Sequence, residues 1–186
     1  MIMTMKTILR SILLATVLLA FSSPAWAEKL QVKGGHELGI SGVLSRSSGT
    51  PPFRGWLGGV AVSYGYFLTD WLQPEVQGQF DIGDLRDANV TGGGVLMGAN
   101  FYYNRWTRFL PFGGLRLGVG VLQNDLAGRD VLNTTVTLAP KVGFLFLIKD
   151  WIGVTVAFEY QRVFVPANSF PDLNLVRLPV GVSFLF

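Results

Sequence analysis

Large apolar residues occupy every second position in the last part of the chain. From residue 178 to 186 the apolar even positions are Leu178, Val180, Val182, Phe184 and Phe186. The odd positions between them include a proline, a glycine and a serine, and the same split recurs from 152 to 160. A period of two is typical of a β-strand with one apolar face, whereas a helix shows a period near 3.6.

Eight segments of this kind follow one another and predict an all-β protein. They are 36–45, 57–68, 71–81, 93–103, 109–122, 134–147, 151–162 and 173–186. The links alternate between long ones (46–56, 82–92, 123–133 and 163–172) and short ones around residues 69, 105 and 149. An even number of strands brings both chain ends to one rim of an antiparallel up-and-down barrel. Short turns on one rim and longer loops on the other are typical of transmembrane outer-membrane barrels, whose short turns face the periplasm.

The two faces of these strands differ in a way that separates a membrane barrel from a soluble one. Small and charged residues share one phase of the alternation, and large apolar residues share the other. The charged members of the first phase are Glu37, Glu75, Arg116, Lys141, Glu159 and Arg177. Charges buried in a barrel are tolerated when opposite signs pair, so we expect a lumen charge cluster. An eight-stranded interior is only wide enough for side chains, which predicts a filled lumen instead of a pore.

The first 27 residues have the three-part pattern of a secretory signal peptide. Lys6 and Arg10 form its positive start, residues 12–21 its apolar core, and Ala25 and Ala27 its cleavage site. The apolar core is shorter than the about 20 residues that a spanning helix needs. We therefore predict a signal peptide at 1–27, removed on export, and a barrel domain at 28–186.

Composition supports a membrane protein without spanning helices. The chain is 49% hydrophobic and its mean hydropathy is positive, yet its longest apolar run after residue 27 is 142–148. Only helices and closed barrels satisfy the backbone across a bilayer. Without Lys6 and Arg10, 13 of the 15 basic residues remain against 12 acidic ones, and they do not cluster, so we expect no nucleic-acid partner. The absence of cysteine favours a bacterial envelope protein over a disulfide scaffold.

Three tryptophans follow polar pairs at the short turns. They are Trp71, Trp106 and Trp151, and we expect them together on one rim, at the membrane-water boundary. Arg162 falls in the lipid-facing phase near the end of its strand, where it can reach the headgroups.

Four prolines fall inside the predicted strands. They are Pro74, Pro111, Pro140 and Pro179. A closed barrel has no free edge to accommodate a missing donor, so we expect β-bulges at these positions.

Several stretches carry a resemblance to a known family. They are "ELGISG" (37–42), "GYFLTDWL" (65–72), "GANFYYN" (98–104), "GGLRLGVG" (113–120) and the C-terminal "VGVSFLF". The chain resembles the small outer-membrane β-barrel domains of Gram-negative bacteria, of the outer membrane protein A and outer membrane protein X type. The resemblance implies an eight-stranded barrel in the bacterial outer membrane, with Gly181, Phe184 and Phe186 as a C-terminal signal to the barrel assembly machinery.

The resemblance also implies partners. These are outer-membrane lipid and lipopolysaccharide, and, during biogenesis, the barrel assembly machinery and periplasmic chaperones. We expect a monomer, with no cofactor, no metal and no catalytic residue. Two of the long links are acid-rich, with Asp81, Asp84 and Asp87 around the second and Asp125 and Asp130 around the third. Clustered oxygens can bind a divalent cation, but we interpret these residues as solvated carboxylates.

The leading functional hypothesis is a non-enzymatic barrel with a side-chain-filled lumen and an envelope-structural or surface-interaction role. One alternative is a lipid A modifying enzyme, in which His36, the only histidine, would have to act without a recognisable nucleophile beside it. A second is lateral transport or binding of small hydrophobic molecules, lined by Leu96, Phe112, Leu122 and Leu145. A third, with the faces inverted, is a soluble lipocalin-like binder.

Overall fold

The computed structural model describes residues 34–48, 54–85, 88–103, 108–126, 129–166 and 172–186. Its strands are β1 (His36–Ser48), β2 (Arg54–Tyr66), β3 (Leu72–Leu85), β4 (Ala88–Tyr102), β5 (Phe109–Leu126), β6 (Arg129–Lys149), β7 (Ile152–Phe164) and β8 (Leu173–Leu185). Each strand pairs antiparallel with its sequence neighbours, and β8 pairs with β1, so the sheet closes. The predicted eight-stranded barrel is confirmed.

No helix among these residues has the length and apolar character needed to cross a membrane. The predicted signal peptide lies outside the described residues. We call the rim with the links 67–71, 103–108 and 150–151 the short-turn rim, and the opposite rim the far rim.

The strands extend beyond their predicted ends at the far rim. β5 and β6 have 18 and 21 residues, and their pairing continues to Leu126 and Arg129. The predicted bounds 82–92 and 123–133 were therefore too wide for loops, because most of both segments is strand. Apolar alternation fades where both faces of a strand meet water, whereas the backbone ladder continues.

The prolines do not introduce bulges, so that prediction is wrong. Pairing runs unbroken through Pro74 and Pro111. Around Pro140 and Pro179 individual pairs of β7 are missing, but the ladders resume in the same register. The one register shift among the described strands lies beside Leu147. A strand residue donates its N–H to one neighbour only, so a proline removes one bond without requiring an extra residue.

The outer surface of the barrel is apolar. Met97, Val119 and Val142 are 66%, 63% and 60% exposed, whereas Arg116 and Arg177 are 2% and 1% exposed in the interior. A soluble barrel would show the opposite distribution. The soluble lipocalin-like alternative is therefore wrong.

Two apolar clusters fill the ends of the interior. The short-turn cluster comprises Phe67, Tyr102, Leu110, Phe112, Leu145, Leu147 and Ala157. The far-rim cluster comprises Leu57, Val90, Val163, Val165, Leu173 and Leu175. Their positions along the strands leave a polar layer between them, in the middle of the barrel.

Candidate functional site

Strand β3 contributes an uninterrupted polar row to the interior. The row comprises Gln73, Glu75, Gln77, Gln79 and Asp81. The alternate positions Val76, Phe80 and Ile82 are exposed on the outer surface. Because side chains alternate along a strand, the sequence "QPEVQGQFD" places all five polar groups on one face. This row forms one wall of the polar layer.

Ion pairs join this row to strands β5, β6 and β7. Lys141 Nζ lies 2.9 Å from Glu75 Oε2, and Arg116 Nη1 lies 2.9 Å from Glu75 Oε1. The other guanidinium nitrogen of Arg116 pairs with Glu159. Glu75 therefore accepts from two cations, and Arg116 bridges two carboxylates.

The same series continues to β8. Arg177 Nη1 lies 3.5 Å from Glu159 Oε1, and Arg177 Nη2 lies 2.7 Å from Asp81 Oδ1. Arg177 also donates to Gln79 and, at 3.1 Å, to Ser45 Oγ. The resulting charge chain alternates in sign through Lys141, Glu75, Arg116, Glu159, Arg177 and Asp81.

Glu37 lies in the interior but outside the charge chain. Its Oε2 accepts from Gln73 Nε2 at 2.7 Å and from the Tyr102 hydroxyl at 3.2 Å. Asn100 Nδ2 donates to Gln73 Oε1 at 2.8 Å and to Glu75. Glu37 thus joins the other charges through amides, without an ion pair to any described lysine or arginine.

The structure therefore places all six sequence-predicted charges inside the barrel and joins five of them directly. Sequence reasoning missed the role of Asp81, which it grouped with an acid-rich link, and the supporting amides of the same strand. The signal was available, since Gln73, Gln77, Gln79 and Asp81 have the same parity as Glu75. Removing a charge from water costs several kcal/mol, and close opposite charges with extra hydrogen bonds offset that cost.

Two inward-facing glycines leave room for this network. A Cβ on Gly98 would contact Leu115 O and the Cα and Cγ of Arg116. A Cβ on Gly114 would lie 2.6 Å from Asn100 Oδ1. Side chains at these positions would displace the guanidinium and the amide from their partners.

Two small cavities remain beside the network. One, of about 50 Å³, is lined by polar groups that include Glu37, Glu75 and Arg116. The other, also about 50 Å³, lies toward the far rim, with Leu96 and Leu122 in its lining. Each has room for a few water molecules.

The short-turn rim carries an aromatic belt on its outer side. Trp71 is 52% exposed and stacks on Phe101 with ring centroids 6.1 Å apart. Trp151 is 53% exposed and stacks on Phe184 at 6.5 Å. Both lie on the rim predicted for them, whereas Trp106 lies outside the described residues.

The chain ends meet on this rim, at the seam between β1 and β8. His36 and Phe186 exchange two backbone hydrogen bonds of 2.7 and 3.0 Å, and their rings stack at 5.6 Å. His36 Nδ1 lies 2.6 Å from the Tyr64 hydroxyl. Gly181 faces inward, where a Cβ would meet the backbone of Ser41.

The acid-rich links do not form a metal site in the part of the chain that the structure describes. No group of three His, Asp or Glu side chains there could hold a metal ion. Asp81 instead pairs with Arg177. Asp87 and the side chains of Asp84, Asp125 and Asp130 lie outside the described residues.

Outward-facing residues near the far rim include a cationic pair that sequence reasoning only partly found. Arg162, predicted to face lipid, is exposed, lies 3.7 Å from Asp172 and stands over the Phe164 ring at 4.9 Å. Arg46, which the sequence analysis did not single out, stands over the Trp56 ring at 5.5 Å. The even parity of β1 would have placed Arg46 outside.

The same architecture occurs in solved outer-membrane proteins. Neisserial surface protein A superposes with a TM-score of 0.72 at 17% identity, over 83% of this chain and 100% of that one. Ail of Yersinia pestis gives 0.61 at 16% identity, over 83% and 99%. The N-terminal β-barrel domain of Pseudomonas aeruginosa OprF gives 0.59 at 15% identity, over 83% and 98%. At these identities the likeness shows the fold.

Sequence comparison supplies the family. No curated protein matches the sequence significantly. The family model described as "Outer membrane protein beta-barrel domain" matches residues 13–184, nearly the whole chain. The chain therefore belongs to the outer membrane protein beta-barrel domain family and is a bacterial outer-membrane protein.

Proposed function

We propose that this protein is a non-enzymatic outer-membrane barrel whose lumen is closed by side chains and whose role is structural or concerns contacts at the cell surface. The alternating charge chain across the middle of the barrel is the observation that carries the proposal. Its six charged groups come from β3, β5, β6, β7 and β8. They tie opposite walls of the barrel together where a pore would have to pass.

The apolar clusters support the same proposal. Phe67, Leu110 and Leu145 are no more than 1% exposed near the short-turn rim. Val90 and Leu173 are no more than 2% exposed toward the far rim. A solute would have to displace both clusters and the charge chain, and the two cavities of about 50 Å³ are too small for anything beyond a few waters.

Conductance measurements test the closed lumen. The full chain, refolded into planar lipid bilayers and verified by its heat-dependent gel mobility, should give no stable ohmic conductance in potassium chloride. A general porin in the same bilayers serves as the positive control. A steady single-channel step from the folded protein would refute the proposal.

A lipid A modifying activity would require chemistry at His36. Its ring contacts are with Tyr64, Tyr66 and Phe186, on the short-turn rim. Its polar contact is with the Tyr64 hydroxyl, and no serine nucleophile is among these contacts, which supports a role in the aromatic belt. Mass spectrometry of lipid A from cells with wild-type protein and with His36→Ala should show identical acylation patterns, and a difference would favour the enzyme.

Lateral transport of small hydrophobic molecules has one supporting observation, the partly apolar cavity near the far rim. Leu96 and Leu122 line it, and its volume of about 50 Å³ falls below the about 300 Å³ of ordinary ligand pockets. Vesicles containing the protein should therefore take up a hydrophobic fluorophore no faster than empty vesicles. Faster uptake that Leu122→Glu abolishes would favour transport.

A surface-contact role follows from the projecting strands of the far rim. Ail of Yersinia pestis has been crystallised with the heparin analogue sucrose octasulfate, which supports polyanionic polysaccharide as the class of partner to test. Intact cells expressing the protein should bind immobilised heparin more than cells without it. Equal binding would leave the structural role as the remaining part of the proposal.

We assign the C-terminal residues Gly181, Phe184 and Phe186 to recognition by the barrel assembly machinery, after delivery by periplasmic chaperones. The exposed ring of Phe186 and its pairing with His36 support this role at the closing seam. Deletion of Phe186 should reduce the folded protein in outer membranes while synthesis stays unchanged. Normal assembly of the deletion variant would contradict it.

A further inference from the structure

Strands β1 and β7 each place an arginine on the outer surface at the same distance from the short-turn rim. The tenth residue beyond His36 on β1 is Arg46, and the tenth beyond Ile152 on β7 is Arg162. Ten residues of a tilted strand rise about 25 Å, the thickness of the apolar band of an outer-membrane barrel. Since the short-turn rim faces the periplasm, both arginines lie at the headgroup level of the outer leaflet.

The two arginines flank one strand. In the ladders Arg46 pairs with Val176 of β8, and Arg162 pairs with Asn174 of the same strand. Strands are spaced by about 4.8 Å, so the backbones of β1 and β7 are about 10 Å apart across β8. Val176 and Asn174 are also about 7 Å apart along β8, so the backbones of the two arginines are about 12 Å apart, a separation comparable to the length of a disaccharide with a phosphate at each end.

The surroundings of Arg46 would allow it to bind the phosphate of a lipid headgroup. It is exposed, its guanidinium stands over the Trp56 ring at 5.5 Å, and no described acidic side chain pairs with it. The planar guanidinium of arginine can donate two hydrogen bonds to one phosphate, and tryptophan side chains are enriched at the level of the lipid headgroups. The ion pair of Arg162 with Asp172 is exposed and 3.7 Å long, so it contributes little.

Beside Arg46 lies a largely apolar groove. It has a volume of about 850 Å³, and its outward-facing lining includes Leu44, Phe158, Val176 and Leu178 together with Arg46 and Trp56. Leu44 and Leu178 pair two residues nearer the short-turn rim than Arg46 and Val176, on the membrane side where acyl chains would run. Cations above an apolar groove match one class of occupant, an amphiphile with anionic groups at its head.

We propose that the outer face of β1, β7 and β8 is a docking site for the phosphorylated glycolipid of the outer leaflet, a multiply acylated disaccharide with a phosphate at each end. Arg46, whose guanidinium rests on Trp56 of the neighbouring strand β2, binds one phosphate, Arg162 binds the other, and the groove holds an acyl chain. The inference rests on the proposed membrane orientation of the barrel, and it adds a lipid-specific site to it.

Native mass spectrometry tests the site. The full chain is refolded in phosphatidylcholine vesicles containing bisphosphorylated lipid A, released in mild detergent, and scored for retained lipid A. Arg46→Gln should weaken retention about fivefold, and Arg46→Gln with Arg162→Gln should weaken it at least tenfold, as expected for headgroup cations. Lys149→Gln, which removes a cation from the opposite rim beside Trp151, is the matched control and should retain lipid A like the wild type.

Two further lipids identify what the site recognises. Lipid A without its phosphates and phosphatidylglycerol, which has one phosphate and no sugar, should both be retained much less than bisphosphorylated lipid A. If either lipid is retained as well as bisphosphorylated lipid A, or if the double variant retains lipid A like the wild type, the proposed site is wrong. The heat-dependent mobility shift of each sample shows independently whether the barrel is folded, so failure of the site is distinguishable from failure of the proposed barrel.

Discussion

Adjacent residues of strand β5 face opposite environments, the interior of the barrel and the surrounding lipid. Arg116 is 2% exposed in the interior, whereas its neighbour Leu115 is 50% exposed on the surface. In a soluble protein these positions would exchange their residues. Here the surrounding lipid takes the apolar side chain, and the interior takes the charge.

The difference shows that a side chain must meet different requirements on the inner and outer faces of the barrel. The inner face tolerates charge because each ionised group of the chain contacts an opposite one, as Arg116 contacts Glu75 and Glu159. The outer face needs no specific partner, because lipid accepts any apolar side chain. The effect of an inner-face substitution on the free energy of unfolding should therefore depend on the partner that it removes. The effect of an outer-face substitution should depend on its depth in the membrane.

Removing the central cation should produce the largest effect. Arg116→Met leaves Glu75 with Lys141 alone and Glu159 with the more distant Arg177, so we expect a loss of about 3–5 kcal/mol in the free energy of unfolding. Chemical unfolding in phospholipid vesicles measures it. Adding Glu159→Gln to Arg116→Met should recover part of the loss. No recovery would mean that packing, not charge, causes the effect.

Placing a cation on the outer face of the same strand should reduce the free energy of unfolding slightly less than Arg116→Met does. Leu115 lies about 15 Å along the membrane normal from Phe109, near the midplane. Leu115→Arg should therefore reduce the free energy of unfolding by about 2–4 kcal/mol, measured as for the first variant. Leu115→Met is the control and should change it by less than about 1.5 kcal/mol. An arginine tolerated at this position would contradict lipid contact there.

Two glycines of the barrel, one on the inner face and one on the outer face, allow the faces to be compared by adding a single methyl group. A Cβ on Gly98 would meet Leu115 O and Arg116, whereas a Cβ on Gly78 would have nothing within 4 Å. Gly98→Ala should lower the free energy of unfolding by about 1–3 kcal/mol. Gly78→Ala should leave it unchanged or raise it by about 0.5 kcal/mol. Equal effects would show that the interior can relax around the added methyl.

Alternation could predict the eight strands and the faces of the six interior charges and Arg162, because both depend on local parity alone. Asp81 ends the predicted strand 71–81 with the same parity as Glu75, but it was grouped with the acid-rich second link because Asp84 and Asp87 follow it closely. The partners within the charge chain could not be predicted. Pairing of Arg177 on β8 with Asp81 on β3 depends on which side chains cross the lumen, and parity carries no such information.

The exposed pair of Arg162 and Asp172 gives the smallest expected change in stability and the sharpest contrast with the interior. Its atoms are 3.7 Å apart with both side chains about half exposed, against 2.7 Å for the buried pair of Arg177 and Asp81. Asp172→Asn should therefore change the free energy of unfolding by less than about 1 kcal/mol, whereas Asp81→Asn should cost more because it leaves Arg177 short of a charge inside the barrel. Asp172→Asn also removes an anion beside the proposed phosphate ligand Arg162, so retention of bisphosphorylated lipid A should rise while stability stays constant. Decreased retention would mean that Asp172 holds Arg162 in its binding position.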